Sequence, residues 1–429
     1  MQNREMRMSR ENDLPVATAK QLEARNQKII SAVIEKADKL YPGTLALIGI
    51  YGSFMTGDIH EKSDLDLLIL INDDRGWQLG CAFVQDDLQV GHDIYCTNWE
   101  SLERDAAYTH PNISKLLDAK IVYCADEKYM EKLLALREEA KDRMQAAFSE
   151  ADYEKAEQFL KEAECLYDRV MTAEKLSEAY AFAGKVLCLI ENAIAMLNKA
   201  YFRYGRKRVF EELHQMKKRP ENLVQLLGAV AAAENLAELQ EALTKLLVET
   251  RKAFAHAGEA FENVGEMFED VREVNAQAEI QQDETRVCAV LQEEKETATS
   301  PEDASGQQAD KNLADTHQAQ PVTAGAIWGT YEEMYSNWRN KMYLAAKEND
   351  KYLAFSSMCS FNEMLLEIEY DVAIAHQEVF AKYYPNDLQK TAVGYDEILK
   401  NYLKEYEKVE LKPRHYPDIE AFVNDYLKL

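Results

Sequence analysis

The chain has 429 residues, and its 50 Lys and Arg against 76 Asp and Glu leave a formal net charge of −26. Such a surplus excludes bulk binding of nucleic acid, which needs many cations against phosphates, and docking on an anionic membrane face. An apolar share of 47% with 10% aromatics fits folded globular domains, and the length asks for roughly two to three of them. No apolar run is expected to reach the ~18–20 residues that a membrane helix needs. The opening MQNREMRMSRENDLP lacks the apolar core of a signal peptide. Seven cysteines, odd in number and without a CxxC pair, point to reduced thiols in a cytoplasmic protein and to no zinc site.

Taken in chain order, residues 1–13 are polar and read as a flexible N-terminus. Leu22, Ile29, Ile30, Val33 and Ile34 recur at helical spacing, and Pro42-Gly43 ends that helix. TLALIGIYG follows as a buried strand. DLDLLILI (64–71) reads as a second strand and DLQVGHDIYC (87–96) as a third. NWESLERDAAY and NISKLLDA read as helices, KIVYC as a short strand, and DEKYMEKLLALREEAKDRM as an amphipathic helix. Strands mixed with helices over 14–148 predict one α/β (α+β) domain with a small mixed sheet.

From about Ala151 the strand-like runs vanish, and residues 149–275 read as an all-α bundle. Its central element, opened at Thr172 and closed at Gly205, is expected to be one long helix. Residues 276–325 have few aliphatics, no aromatics and many Gln, Glu, Asp, Ala and Thr, the composition of an acidic disordered linker. Residues 326–429 return to helical periodicity as a C-terminal helical region.

The chemistry concentrates in IGIYGSFMTGDIHEKSDLDLLILIN. Residues two apart on a strand share a side, so Asp64 and Asp66 project together while Leu65 and Leu67 turn to the core. Asp93, on the next predicted strand, can join them. Three clustered carboxylates repel one another and are worth assembling where a divalent cation neutralises them. Mg²⁺ takes a few carboxylates plus substrate phosphates, and two such ions can activate an attacking oxygen and steady a leaving pyrophosphate. Gly52 lets backbone approach a phosphate, and the Ser53 hydroxyl can donate to it.

The GSx10DxD pattern with a later Asp resembles the signature of the DNA polymerase β-like nucleotidyltransferase superfamily. The layout of a small α/β domain followed by helices is similar to aminoglycoside/lincosamide-type nucleotidyltransferases with a C-terminal helical bundle of the HEPN/KNTase-C-like kind. The resemblance implies an enzyme that transfers a nucleoside monophosphate from an NTP, ATP by expectation, to a hydroxyl of a small molecule such as an aminoglycoside-like antibiotic. It implies that Gly52 and Ser53 bind the triphosphate, and that Asp64, Asp66 and Asp93 hold Mg²⁺, two ions by expectation. Asp93 is the expected general base, with Glu191 on the long helix as second choice. A homodimer is a further implication. Two readings compete: nucleotidylation of a protein hydroxyl in a regulatory, antitoxin-like role, and a binding module without catalysis.

Lesser candidates weigh toward ordinary roles. Asp58, His60 and Lys62 read as solvated loop residues, and His92 as back-face packing beside Asp93. Arg203, Arg206, Lys207 and Arg208 read as a solvated helix end complementing its dipole. Arg251 and His256 match the R-x4-H spacing of HEPN-type ribonucleases, a pattern short enough to arise by chance, and are expected to be ordinary helix residues.

Overall fold

The computed structural model describes residues 16–265 and 319–428. Most of the expected linker therefore lies outside the described residues. Its last part does not: Gln320 forms a β-bridge with Val372, and a helical turn begins at Ala324.

The elements run α1 (Val16–Leu40), β1 (Leu45–Ile50), α2 (Ser53–Thr56), β2 (Leu67–Ile71), β3 (Cys81–Gln85), β4 (Val90–Ile94), β5 (Cys96–Asn98), α3 (Trp99–Ala106), α4 (Ser114–Asp118), β6 (Lys120–Cys124) and α5 (Glu127–Gln145). The helical part follows as α6 (Glu150–Thr172), α7 (Leu176–Leu197), α8 (Val209–Gln215), α9 (Leu223–Ala232) and α10 (Leu236–Gly265). Beyond the undescribed stretch come α11 (Ala324–Ile327), α12 (Thr330–Met334), α13 (Asn340–Glu348), α14 (Lys351–Asp371), α15 (Leu388–Lys408), β7 (His415–Tyr416) and α16 (Ile419–Tyr426). The α/β domain followed by helices agrees with the expected fold class.

One mixed sheet becomes two small ones. The first has the order β5-β2-β1-β6, antiparallel except for β2 with β5. The second is β4-β3-β7. The strand β3 has no counterpart in the expectation: CAFVQ is too short to show a period. β2 is buried on both faces, which explains its unbroken LLILI. Leu68 and Leu70 face α3 and α5, while Leu67, Ile69 and Ile71 face α1 and α16. The end of the chain thus enters the core of its beginning: Phe422 of α16 stacks on Phe83 of β3 with ring centroids 3.6 Å apart, and the Tyr426 hydroxyl donates to the Leu79 carbonyl at 2.6 Å.

The long helix expected over 172–205 is shorter. It stops at Leu197 because Asn198 folds back, its amide donating to Ile194 O (2.8 Å) and Lys218 O (2.9 Å), and Lys199 turns left-handed. Thr172 closes α6 instead of opening α7. The expectation of no membrane-length apolar run also needs correction. Leu176–Leu197 is long and apolar enough by length and composition to cross a membrane. Its apolarity has another use here: 61% of the window is buried, against α6 and α14.

His92 is buried, stacks on Phe83 at 4.8 Å and meets the Gln85 side-chain oxygen through Nε2 (3.3 Å). Burial holds it well below the ordinary histidine value. A depressed pKa means that only the unfolded chain takes the proton as pH falls below ~6.5. Its contribution to stability is therefore complete above that pH and lost below it, by up to ~1.4 kcal/mol per pH unit. Thermal melts from pH 7.5 to 5 should show a shallower decline for His92→Phe than for wild type. Parallel declines would show that another group controls acid sensitivity.

Candidate active site

The end of β1 builds the site. Ile50 pairs with Leu67, and one step further the Tyr51 N–H donates to the Asp66 carbonyl at 3.1 Å. This bond brings the Gly52-Ser53 turn against the DxD segment. Asp64 and Asp66 lie on extended backbone just before β2 and not within it, while Leu65 between them is buried in the core and anchors both.

Gly52 is fixed by two requirements. Its φ of 65° is left-handed, and a Cβ there would stand 1.8 Å from Asp66 Oδ2. The Asp66 carboxylate thus rests on the glycine and accepts the Ser53 backbone N–H. Burial, then the charge of Asp64, raises the Asp66 carboxyl to about 7. The Ser53 hydroxyl oxygen is buried with no hydrogen-bond partner.

Asp93 sits on β4, in the second sheet. Chain continuity brings it back: β4 kinks at Tyr95 and continues as β5, which pairs with β2 through Ile69↔Cys96. Asp93 itself pairs with Ala82 of β3, three residues before Cys96. Burial raises Asp93 to about 6, opposed by a hydrogen bond from the Asn337 side chain, and Asp64 raises it further. The partly buried Tyr51 phenol feels all three acids, which adds to the upward shift that burial gives it. Asp64, Asp66 and Asp93 are therefore neighbours beside Gly52-Ser53. They do not form a closed cage: among the described residues, no three His, Cys, Asp or Glu side chains converge as a ready metal site.

The loop from 57 to 63 is not solvated as expected. Arg208 contacts both Asp58 oxygens at 3.3 Å, and the Lys207 ammonium donates to His60 Nε2 at 3.2 Å. Burial, reinforced by Lys207, lowers His60 to about 4, so its ring is neutral at pH 7. The stretch expected to be a solvated helix end is thus a 3₁₀ turn, Arg206–Arg208, that clasps this loop. Arg206 instead pairs with Glu191, whose other oxygen accepts from Tyr352. Glu191 is 1% exposed with both oxygens engaged, so the second-choice base is a structural ion pair. Arg251 pairs with Glu157 and Glu164 of α6, and the His256 side chain is 87% exposed beside Glu259, which leaves both as ordinary helix residues.

Sequence reasoning missed several contributors. Arg25 of α1 donates to the Ser63 carbonyl at 2.9 Å and supports the approach to Asp64. Asn337, Lys341 and Glu333 arrive from beyond the linker. None carries a local motif, so only the tertiary fold reveals them.

Residues 30–178 match the family model of a nucleotidyltransferase domain. No curated protein matches the chain. That domain spans β1, the Gly52-Ser53 turn, the DxD segment and β4, so the chain carries over residues 30–178 a nucleotidyltransferase domain of the polymerase β-like kind, the mark of a transferase.

Proposed function

We propose that the protein is a Mg²⁺-dependent enzyme that moves a nucleoside monophosphate from an NTP, ATP by expectation, to a hydroxyl of a small molecule and releases pyrophosphate. The observation that carries this reading is the grouping of Asp64, Asp66 and Asp93 beside a Gly52-Ser53 turn whose buried hydroxyl oxygen lacks a partner. The donor set fits Mg²⁺ arriving with its nucleotide: hard carboxylate oxygens, too few for a cage, leave positions for phosphates and water. Asp64, Asp66 and Asp93 would hold the metal, which when bound supplies charge neutralisation at the transferring phosphoryl group.

The chain's own residues position the rest. Ser53 donates its hydroxyl to a phosphate oxygen. Gly52, with no Cβ, lets the triphosphate approach the turn. Asp93, raised toward neutrality by burial, suits the acceptance of the acceptor's proton. Glu333 adds negative charge near Asp93, and Glu367 adds more beside Glu333, which favours a cationic acceptor such as an amino sugar. Free cysteines at six described positions suit a reducing, cytoplasmic setting.

The test is pyrophosphate release from each NTP with Mg²⁺ across a panel of amino-sugar antibiotics, alongside intact-mass measurement of the protein. Release that depends on a small acceptor is the expected result. A mass gain on the protein with no small acceptor would move the reading to protein nucleotidylation. No release with any NTP would reject both.

A further inference from the structure

A helical rod from beyond the linker lies across the acids. It is made of α12, a π-helical turn at Tyr335–Arg339, and α13. Glu333, Asn337 and Lys341 follow one another at four-residue steps and so share one side of the rod. That side meets the site residue by residue. Glu333 repels Asp93, Asn337 hydrogen-bonds Asp93, and Lys341 is attracted by Asp64 and Asp66.

The rod is held firmly in this position. Ser336 presses on Gly91 of β4, where a Cβ would come within 2.3 Å of the Ser336 hydroxyl oxygen. Arg339 forks onto Asp396 of α15 at 2.8 and 3.0 Å, and the Tyr343 hydroxyl donates to the same carboxylate at 2.6 Å. On its outer side, β7 joins β3, and the Arg414 backbone N–H donates to Glu332 at 2.5 Å.

Lys341 is half-buried, yet among the described residues its ammonium has no hydrogen bond and no ion pair. Lys207, from the 3₁₀ turn after α7, approaches the same place: both lysines act on Asp66, and they repel each other. Two ammonium groups from separate helical regions therefore flank the DxD segment. Asp64 and Asp66 offset part of that repulsion, and once a metal engages those carboxylates a polyanion between the lysines would offset the rest.

Resting on the reaction proposed above, we propose that Lys341 and Lys207 form an ammonium clamp for the β- and γ-phosphates of the nucleotide, so that the C-terminal helical region completes the active site. In the transfer, the acceptor oxygen bonds to the α-phosphorus and its proton passes to Asp93. The bond from the α-phosphorus to the bridging oxygen breaks, and its electron pair leaves on pyrophosphate. The clamp sits where that negative charge accumulates. Both lysines are carried on packed elements, so the backbone that presents them needs little reorganisation.

Calorimetric titration of the full chain with magnesium tripolyphosphate and with Mg·ATP tests the clamp, using wild type, Lys341→Met, Lys341→Arg and Lys207→Met. Each methionine variant should weaken both ligands about ten- to a hundredfold, and Lys341→Arg should recover most of the loss. In turnover, KM for the NTP should rise while KM for the acceptor stays constant. Wild-type affinity in both methionine variants, with wild type binding Mg·ATP, overturns the clamp and leaves the reaction standing. A wild-type chain that binds neither ligand overturns the reaction, and the clamp with it. Should Lys341→Met not fold, Lys207→Met decides alone.

Discussion

Asp64→Asn should lower nucleotidyl transfer at least about a thousandfold and leave the chain folded. Asp64 is the hub of the site's electrostatics. Its charge acts on Asp66, Asp93, Tyr51, Arg25 and Lys341. Amide for carboxylate keeps the shape and removes a hard anionic donor that the proposed reaction assigns to Mg²⁺. A metal that loses such a ligand gives up several kcal/mol of transition-state stabilisation; ~4 kcal/mol corresponds to about a thousandfold in rate. Stability should change little because two effects oppose. The variant relieves repulsion on Asp66 and Asp93 but removes a negative charge that compensates buried Arg25, whose guanidinium burial lowers to about 10. Steady-state pyrophosphate release and a thermal melt on the same preparation check both halves. Near-wild-type turnover would show that the site is misassigned.

Phe422→Ala should destabilise the α/β domain by about 3–5 kcal/mol, although residue 422 lies far from it in sequence. Phe422 is 2% exposed, stacks on Phe83, meets Tyr416 edge-on at a centroid distance of 5.6 Å and stacks on Tyr426 at 5.2 Å. Truncation leaves a cavity between β3 and α16 that rigid β-strands cannot collapse to fill. Val393→Ala, at a position 46% exposed, is the control and should change stability by less than about 0.5 kcal/mol. Urea midpoints for the two variants make the comparison. Equal, small shifts would show that α16 is a peripheral attachment and not part of the core.

The site's first layer was legible in the sequence because its parts lie close along the chain. An apolar strand running into Gly52-Ser53, followed by Asp64 and Asp66 set between buried leucines, is a local pattern. Strand alternation and the shortness of the loop allow few other arrangements. Asp93 was legible as a candidate, though not its sheet: β4 hydrogen-bonds to β3, and only the kink at Tyr95 and the β5–β2 pairing return it to Asp66. The same limit explains the basic stretch after α7. As sequence, Arg206, Lys207 and Arg208 look like a solvated helix end. Glu191, His60 and Asp58, the groups that engage them, come from other elements.

By itself the sequence determined the strands and helices whose side chains repeat at a fixed period, and the glycine-serine turn with the two aspartates that follow it along the chain. The tertiary structure alone decided that Lys341 meets those aspartates, that Asn337 meets Asp93, and that Phe422 closes the core between α1 and the strands. Local periodicity states which side of an element is apolar, but not which distant element covers it. That choice is made by shape and charge when the whole chain packs, as where Ser336 fits against Gly91 and Phe422 lies flat on Phe83.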